Sequence, residues 1–332
     1  MDVFSVRVHR IGVFLVLLGG VVIRFSSRAI AQEEPFRFEE KEGKYLHLHE
    51  GDKPLLTYVF GMELKEGAPK EQRRSSYIHP VWGLDGEVLT DDFPRDHYHH
   101  RGIFWAWAQV TADGTTHDPW AVVGMMTRFE KWLGRETRAE YAVFAVNNGW
   151  YVGEKKVVDE KARVTVWRAD EIGRPIDIAL RLEATGDPVV VSGRPPTKGY
   201  GGFGVRFAPR KPAAAITMAD GRTSGDVIGE ASPWADYSAR FHDRATTSGL
   251  AVFLPESHPG FPAGWLLRHY GYIGPTWPGL GKCTLEPNKP LVLNYRVYIH
   301  RGDAVEGHVE EAYGTYSTMP APGRARFSAI EF

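Results

Sequence analysis

Three histidines and three acids fall within eleven positions of "DDFPRDHYHHRGIFWAW", residues 91–107. Pro94 and the acids predict a turn, and "GIFWAWAQV" predicts a strand, so His97, His99 and His100 lie where a loop enters a sheet. If residues 97–100 are already extended, His97 and His99 point to one face, about 6.5–7 Å apart, and His100 points to the other. This spacing is compatible with a metal-binding or catalytic site and also with a polar loop that caps a strand.

Two kinds of chemistry fit the cluster. His97 and His99 could converge on zinc or another divalent metal such as manganese or calcium, with a third ligand such as His79, Asp96, His258 or Asp236. Without a metal, the same imidazoles could act as general acid and base, because histidine titrates near neutral pH. Arg101 would then bind a carboxylate or a polarised oxygen. We expect the metal-free reading, with metal binding as the alternative.

Three further stretches contain candidate site residues. In "KGYGGFGVRF" (198–207) the glycines predict positive φ angles or a close backbone approach, and Lys198 and Tyr200 could face a ligand. In "SPWADYSARF" (232–241) Trp234 and Asp236 could stack on a sugar ring and bind its hydroxyls, although a core Trp beside a turn is the commoner arrangement. In "FLPESHPGFPAGWLLRHYGYIGPTWPG" (253–279) His258 is the leading candidate, since it sits in a loop after a strand.

The elements that must position these residues are strands. Residues 162–168, 176–184 and 291–300 alternate apolar and polar side chains, as half-buried antiparallel strands do. Shorter strands are predicted at 44–49, 54–60, 102–110, 138–146, 203–207, 249–254 and 265–270. Helix signals are scarce, and the best is 302–315, with Asp303 as the candidate N-cap. The pattern indicates an all-β protein of two packed antiparallel sheets, with few short helices and long loops.

The N-terminus predicts a signal peptide over residues 1–31, followed by one β-sandwich domain over 32–332. Basic residues precede the apolar run "IGVFLVLLGGVVI", and Ala29-Ile30-Ala31 has the small-x-small pattern of a cleavage site. An uncleaved membrane anchor is the alternative. We therefore expect a periplasmic or secreted protein that has no membrane association after cleavage.

Composition and charge limit the classes of molecule that the protein is expected to bind. Removing the four arginines and one aspartate of residues 1–31 leaves 36 basic and 40 acidic residues, a net charge of −4. Since no run of five or more basic residues occurs, neither nucleic acid nor an anionic membrane is the expected partner. Cys283, the single cysteine, has no partner for an internal disulfide. The sequence does not indicate an oligomeric state.

Four motifs together resemble a known family: "YIHPVWGLDGEVLTDDFPRDHYHHRGIFWAW", "KGYGGFGVRF", "WADYS" and "GLAVFLPESHPG". The chain resembles, over about residues 40–315, the secreted bacterial family labelled "PmoA" after a methane monooxygenase subunit. That subunit spans membranes, whereas this sequence has no apolar stretch of 18 or more residues after the signal segment, so we do not expect methane oxidation.

The resemblance implies a β super-sandwich of the galactose-mutarotase type and a carbohydrate substrate bound on the concave face of a sheet. By analogy of fold, it implies catalytic roles for His97, His99, His258 and Asp236. Arg101 and Lys198 would bind substrate oxygens, and the substrate-binding set would also include His79, Trp82, His100, Trp107, Tyr200 and Trp234. Epimerisation, elimination and hydrolysis all fit this set. A non-catalytic glycan-binding protein is the alternative from another class.

Overall fold

The computed structural model describes residues 35–319, together with Met1. The predicted signal peptide, residues 1–31, and its cleavage site lie outside the described residues.

Within residues 35–319, nearly all regular structure is β. The first strands are β1 Phe36–Lys41, β2 Tyr45–Glu50, β3 Lys53–Val59, β4 Tyr77–Val81, β5 Ile103–Trp107, β6 Gln109–Ala112, β7 Thr115–His117 and β8 Met126–Thr137. They are followed by β9 Tyr141–Val152, β10 Lys155–Trp167, β11 Gly173–Ala184, β12 Val189–Ser192, β13 Gly201–Arg206, β14 Arg210–Met218 and β15 Gly221–Arg222. The last are β16 Val227–Ala231, β17 Trp234–Phe241, β18 Ser248–Phe253, β19 Gly264–Arg268, β20 Tyr272–Thr276, β21 Lys282–Leu285 and β22 Leu291–Arg301. A 3₁₀ turn, Lys70–Gln72, and one helix, α1 Val309–Thr318, complete the described elements.

The strands form two large sheets and one small one. The first sheet has nine strands in the order β1-β2-β3-β4-β5-β13-β20-β19-β16. The second also has nine, in the order β15-β14-β17-β18-β22-β11-β10-β9-β8, and a four-stranded sheet has the order β21-β12-β6-β7. All the strand pairs within these sheets are antiparallel, for example Ile176↔Val297 between β11 and β22. The predicted all-β fold of two antiparallel sheets is confirmed.

The main core lies between the two large sheets. On the first sheet, Ile103, Trp105 and Trp107 of β5 point inward, and on the second sheet the inward side chains include Leu180 and Tyr295. In strands with period-two alternation, the apolar side chains lie on this core-facing side of the sheet. We call the side of each large sheet that faces this core its inner face, and the opposite side its outer face.

The outer face of the first sheet is also partly buried. Phe104, Ala106, Leu266 and Tyr272 form a second apolar cluster there with Trp120, which lies in the loop after β7. All five residues of β5 are therefore buried, even though the strand alternates between faces. The histidine cluster lies on this outer face, where His100 packs against Phe104 and Trp120.

Two element predictions need correction. The predicted strand 102–110 is two strands, because the chain leaves the first sheet after Trp107 and enters the small sheet at Gln109. The predicted helix 302–315 begins only at Val309: Gly302 and His308 have φ angles of 70° and 51°, which an α-helix does not accept. Asp303 accepts hydrogen bonds from the backbone N–H groups of Val305 and Glu306, so it closes a turn before the helix.

Candidate functional site

A cavity of about 360 Å³ opens on the outer face of the first sheet. Five segments meet there: the loop before β5, the loop after β7, the loop before β13, the residue before β16, and the β19–β20 hairpin. Its lining residues are His97, His99, His100, Trp120, Lys198, Tyr200, Asp226, Leu266, Arg268 and Tyr270. The cavity thus gathers residues that lie up to 173 positions apart in the sequence.

The histidine loop turns before it enters β5. The backbone N–H of His97 donates to the Pro94 carbonyl at 2.9 Å, and the N–H of His100 donates to the His97 carbonyl at 2.9 Å. Residues 97–100 are therefore not extended, and the expected strand geometry, with His100 on the opposite face, does not apply. Instead, all three imidazoles line one cavity.

The three rings contact one another. His97 stacks on His100 with ring centroids 4.6 Å apart and planes 9° apart, and His99 stands nearly perpendicular to His100 at 4.6 Å. His97 and His99 have centroids 5.7 Å apart. This packing fixes the ring orientations before any ligand arrives.

Two buried arginines hold the histidine loop by donating hydrogen bonds to its backbone carbonyls. Arg101 donates from Nη1 to the carbonyls of Tyr98, at 2.6 Å, and of His100, at 2.7 Å, while its guanidinium lies 3.5 Å from the Phe93 ring centroid. Arg74 donates to the carbonyl of His99 at 3.3 Å and to that of Pro119 at 2.7 Å. Arg101 was expected to bind substrate, but it is fully buried and does not line the cavity. It is a positioning residue for the loop.

Burial keeps His99 and His100 uncharged. Desolvation, followed by the nearby His97 and Arg74, lowers the pKa of His99 to about 4. Desolvation, with His99 and His97 beside it, lowers the pKa of His100 well below its ordinary value. Both rings are neutral at pH 7, so each offers one nitrogen that accepts a proton and one that donates a hydrogen bond.

His97 is paired with a carboxylate. Its Nδ1 lies 3.0 Å from Oδ2 of Asp96, and Arg206 donates to both oxygens of Asp96 at 2.8 and 2.9 Å. Burial alone would raise the pKa of Asp96, but the hydrogen bonds from His97 and Arg206 lower it overall. The Asp96 carboxylate fixes which ring nitrogen of His97 faces it.

Flat rings and polar groups complete the cavity wall. Tyr270 stacks on His97 at 4.9 Å with the planes 15° apart, and Trp120 lies 5.3 Å from the Tyr200 ring. At the rim, Arg268 pairs with Asp226 at 3.2 Å, and Lys198 is exposed. Aromatic faces beside a few hydrogen-bonding groups are typical of small-molecule sites.

The glycine stretch brings Lys198 and Tyr200 to this cavity. Gly199, Gly201 and Gly202 have φ angles of 59°, 145° and 100°, and a Cβ atom at Gly202 would lie 3.1 Å from the Trp277 carbonyl oxygen. Side chains at these positions would strain the backbone or collide with it. The expected close approach of the backbone is therefore present.

Two of the four expected catalytic residues lie elsewhere. His258 is 3% exposed in the main core; its Nδ1 donates to the Pro259 carbonyl at 2.9 Å, and its ring packs 5.4 Å from Tyr295. Asp236 is buried in the second sheet, where its Oδ1 pairs with Nε2 of His300 at 2.8 Å and its Oδ2 accepts from Ser238. Neither carboxylate nor imidazole reaches the cavity.

The three tryptophans expected to stack on substrate also lie outside it. Trp107 is fully buried on the inner face of β5, where its Nε1 donates to the Trp277 carbonyl at 2.8 Å. Trp234 packs beneath α1 and donates from Nε1 to Glu310 at 3.1 Å. Trp82, half-buried, follows β4 and its backbone bridges to Val88. His79, on β4, is engaged by Thr90 at 3.0 Å and Asp92 at 3.2 Å, and it does not line the cavity either.

Five of the lining residues were not predicted from the sequence: Trp120, Asp226, Leu266, Arg268 and Tyr270. Arg268 and Tyr270 belong to the aromatic stretch 253–279, in which His258 was preferred. Trp120 follows a proline in "HDPWAVV", and a lone tryptophan in a polar turn is the signal that could have found it. Asp226 carries no local signal, since its position depends on how β16 pairs with β19.

Among residues 35–319, no group of three or more His, Cys, Asp or Glu side chains is arranged to hold a metal ion. His100 packs against both His97 and His99, with ring centroids 4.6 Å away in each case, and Asp96 is engaged by both His97 and Arg206. His258 and Asp236, two of the third ligands considered, are in other parts of the fold. The described residues thus do not form a preassembled ligand group for the alternative of a metal held by His97 and His99.

Comparison with protein families gives one match. The model of a family described as "Family of unknown function (DUF6807)" matches residues 45–314. Comparison with curated protein sequences gives no match. Within the described part of the chain, no helix combines the length and the apolar character needed to cross a membrane.

Similar solved structures are distant. A heparinase III is 11% identical with a TM-score of 0.38, and the heparan sulfate lyase HepC from Pedobacter heparinus is 9% identical with a TM-score of 0.36. The alignments cover 82% and 78% of this chain but only 36% and 34% of those, so this chain spans about a third of their length. A GalM/aldose epimerase homologue from C. elegans is 10% identical, with a TM-score of 0.35 and coverage of 81% of this chain and 99% of that one. Scores this low carry no argument about function.

Proposed function

We propose that this chain, which belongs to the family of unknown function DUF6807, is a carbohydrate-active protein whose substrate binds in the cavity on the outer face of the first sheet. The observation that carries the proposal is the convergence there of three imidazoles, stacked aromatic rings and polar rim groups. A volume of about 360 Å³ suits one or two sugar rings better than an extended polymer. The relationship to the family labelled "PmoA" rests on the four sequence motifs alone and is part of this proposal.

The proposed chemistry is proton transfer at a ring carbon or at the anomeric oxygen. His99 is neutral and half-buried, and it acts as the base. His97, backed by the ionised Asp96, is the proton donor. Tyr270 and Trp120 stack on the C–H faces of the ring, and Lys198 binds an oxygen. Epimerisation and elimination use this pair directly, whereas hydrolysis also needs a water in the cavity.

The first test is a pH profile of kcat/KM, measured on a panel of mono- and disaccharides with wild type and His99→Ala. We expect activity to be lost as pH falls through about 4, because the base must be unprotonated and the pKa of His99 is lowered to about 4. His99→Ala should lower kcat/KM by about 10²–10⁴-fold and remove this acid limb. His47→Gln on β2, in the same sheet but outside the cavity, is the matched control and should leave the profile unchanged.

Other outcomes separate the alternatives. Sugar binding without turnover, with affinity that tolerates His99→Ala, identifies a non-catalytic glycan-binding protein. Turnover that depends on an added divalent metal and disappears with chelation identifies the metal-dependent alternative. An unchanged pH profile in His99→Ala contradicts the role of His99 as the base.

We also propose that the protein is exported to the periplasm or beyond, with cleavage after Ala31. The support is the sequence pattern of residues 1–31. Intact-mass measurement of the protein recovered from a periplasmic extract should give a chain that begins at Gln32. A full-length chain found in the membrane fraction would contradict the proposal.

A further inference from the structure

The charges around the cavity do not balance. Each carboxylate that lines the cavity or contacts its lining has a cation: Asp226 pairs with Arg268 at 3.2 Å, Asp96 with Arg206 at 2.8 Å, and Asp118 with Arg194. Arg194 in turn donates to the hydroxyl of Tyr200 in the cavity wall at 3.2 Å. These three pairs contribute little net charge.

Lys198, which lines the cavity, and two arginines buried behind the histidine loop have no such partner within 4 Å among the described residues. Among residues 35–319, no carboxylate lies within 4 Å of the charged groups of Lys198, Arg74 or Arg101. Arg74 and Arg101 donate only to backbone carbonyls of the histidine loop and its neighbours Gln72 and Pro119. Carbonyl dipoles accept these hydrogen bonds but do not cancel a unit of charge, and Nε of Arg101 has no partner among the described residues. Asp92 and Glu63 act electrostatically on Arg101, and Asp118 and Glu160 act on Arg74, so these two buried cations are partly offset.

One nearby carboxylate, that of Asp91, lacks a cation partner in the described part of the chain. Asp91 has no cation within 4 Å in the described residues, and burial raises its pKa although Arg206 and His79 oppose the shift. Asp91 does not line the cavity. It therefore does not reach a ligand, and Lys198 remains a lining cation without a carboxylate partner within 4 Å among the described residues.

The neutral histidines add hydrogen-bond donors to the cavity without adding negative charge. His100 is 3% exposed, and its Nδ1 is enclosed without a hydrogen-bond partner in the described part of the chain. A neutral ring in this position is expected to carry its proton on Nε2, since a bare acceptor is less costly to bury than a bare donor. His99 and His100 can each donate one hydrogen bond to an anionic oxygen, while Lys198 supplies the charge at the rim.

We infer that the natural ligand of the cavity is an anionic sugar, most simply a uronic acid, whose carboxylate binds beside Lys198. The inference rests on the proposed function, since it names the class of sugar that the same cavity takes. A carboxylate would neutralise the charge of Lys198, which lines the cavity and has no carboxylate partner within 4 Å among the described residues, whereas a neutral sugar would leave that charge without a counter-charge. The partly enclosed cavity makes that difference larger than it would be on an open surface.

The test compares matched sugars that differ only in charge. Titration calorimetry on the mature wild-type protein would use glucuronate against glucose and galacturonate against galactose, at 50 and 500 mM salt. We expect at least one uronate to bind about tenfold or more tightly than its neutral partner at low salt, with a smaller ratio at high salt. Lys198→Gln should reduce the ratio by about tenfold, and Lys198→Arg should restore most of it.

Two controls make the result specific. Lys211→Gln, at an exposed position on β14 of the second sheet, should leave the ratio unchanged. Circular dichroism and thermal melting of Lys198→Gln should match wild type, because Lys198 is exposed and holds no carboxylate.

The two proposals fail in different ways. If neutral sugars bind as tightly as uronates, or if the preference is unchanged in Lys198→Gln, the anionic-ligand inference is overturned and the carbohydrate function stands. If no sugar of either kind binds, the proposed function is overturned, and the inference falls with it.

Discussion

At the scale of single residues, burial decides what each histidine can do. His99 and His258 both have their pKa lowered to about 4, in each case chiefly by desolvation. His99 borders the cavity and can use its neutral ring on a ligand, whereas His258 is enclosed in the main core. His300 differs again: burial alone would lower its pKa, but the adjacent Asp236 carboxylate raises it overall. Residue type predicts none of these differences.

The buried histidines predict a loss of stability in acid. The pKa of His258 is lower in the folded state than its ordinary value of about 6.5, so the unfolded chain binds the proton more readily. Its contribution is full above pH 6.5 and falls as pH decreases towards 4, by about 2 kcal/mol between pH 7 and 5. His258→Asn keeps a donor for the Pro259 carbonyl and should flatten this part of the curve in urea titrations.

His308→Asn, at an exposed left-handed position, is the matched control and should not change the slope. The His300–Asp236 pair acts in the opposite direction, since stability from a raised pKa is full below pH 6.5 and is lost at higher pH. It is present in all three proteins and cancels in the comparison. An identical slope in His258→Asn and wild type would contradict the assignment.

At the scale of elements, the site depends on one loop and the arginines beneath it. Residues 94–101 have neither helical nor strand hydrogen bonding; they are held by two backbone turns and by Arg101 and Arg74. Arg101 donates to three carbonyls, those of Gln72, Tyr98 and His100, and it stacks on Phe93. A planar fork is needed for this arrangement, and an ammonium group cannot reproduce it.

Arg101→Lys should therefore destabilise the loop even though it keeps the charge. We expect the free energy of unfolding to fall by about 2–3 kcal/mol, because at least one buried carbonyl loses its donor. Sugar affinity should fall as well, since His99 and His100 follow directly on this anchor. Arg37→Lys on the exposed edge strand β1 is the control, with an expected change below about 0.5 kcal/mol. Equal stability in Arg101→Lys and wild type would show that the hydrogen bonds of the Arg101 guanidinium are not needed to hold the loop.

At the scale of the whole molecule, the two-sheet arrangement separates core from site. β5 presents Trp107 to the main core on its inner face, while its outer face lies beneath Trp120 and the histidine loop. The second sheet likewise buries Asp236 and Trp234 on its outer face, away from the cavity. Residues with similar chemistry are therefore packed inside the protein on some sheet faces and line the cavity on another.

This separation predicts different effects for two Trp→Phe substitutions. Trp107→Phe should cost about 2 kcal/mol of stability, because the Trp277 carbonyl loses its donor and the core loses volume, but sugar affinity should be unchanged. Trp120→Phe should weaken sugar binding, because Trp120 lines the cavity. Chemical denaturation and calorimetry on both variants measure the two effects. A loss of affinity in Trp107→Phe would restore the role that the sequence analysis gave this residue.

Period-two alternation in segments such as 176–184 was enough to predict an all-β protein, because alternation is a local property of a strand with one buried face. The histidine cluster was also visible as a cluster, and the structure brings His97, His99, His100, Lys198 and Tyr200 to one cavity. Those five lie in loops that the sequence already marks by glycine, proline and charge.

Only the tertiary structure decided which other residues join them. His258, Asp236, Trp107 and Trp234 have the right chemistry but face the main core or the second sheet, whereas Asp226, Arg268 and Trp120 reach the cavity. The alternation of apolar and polar residues along a strand indicates that the strand has two different faces. It does not indicate which face packs against the other sheet. That choice is made by the pairing order of strands far apart in the chain, as when β13 inserts between β5 and β20, and no local pattern contains it.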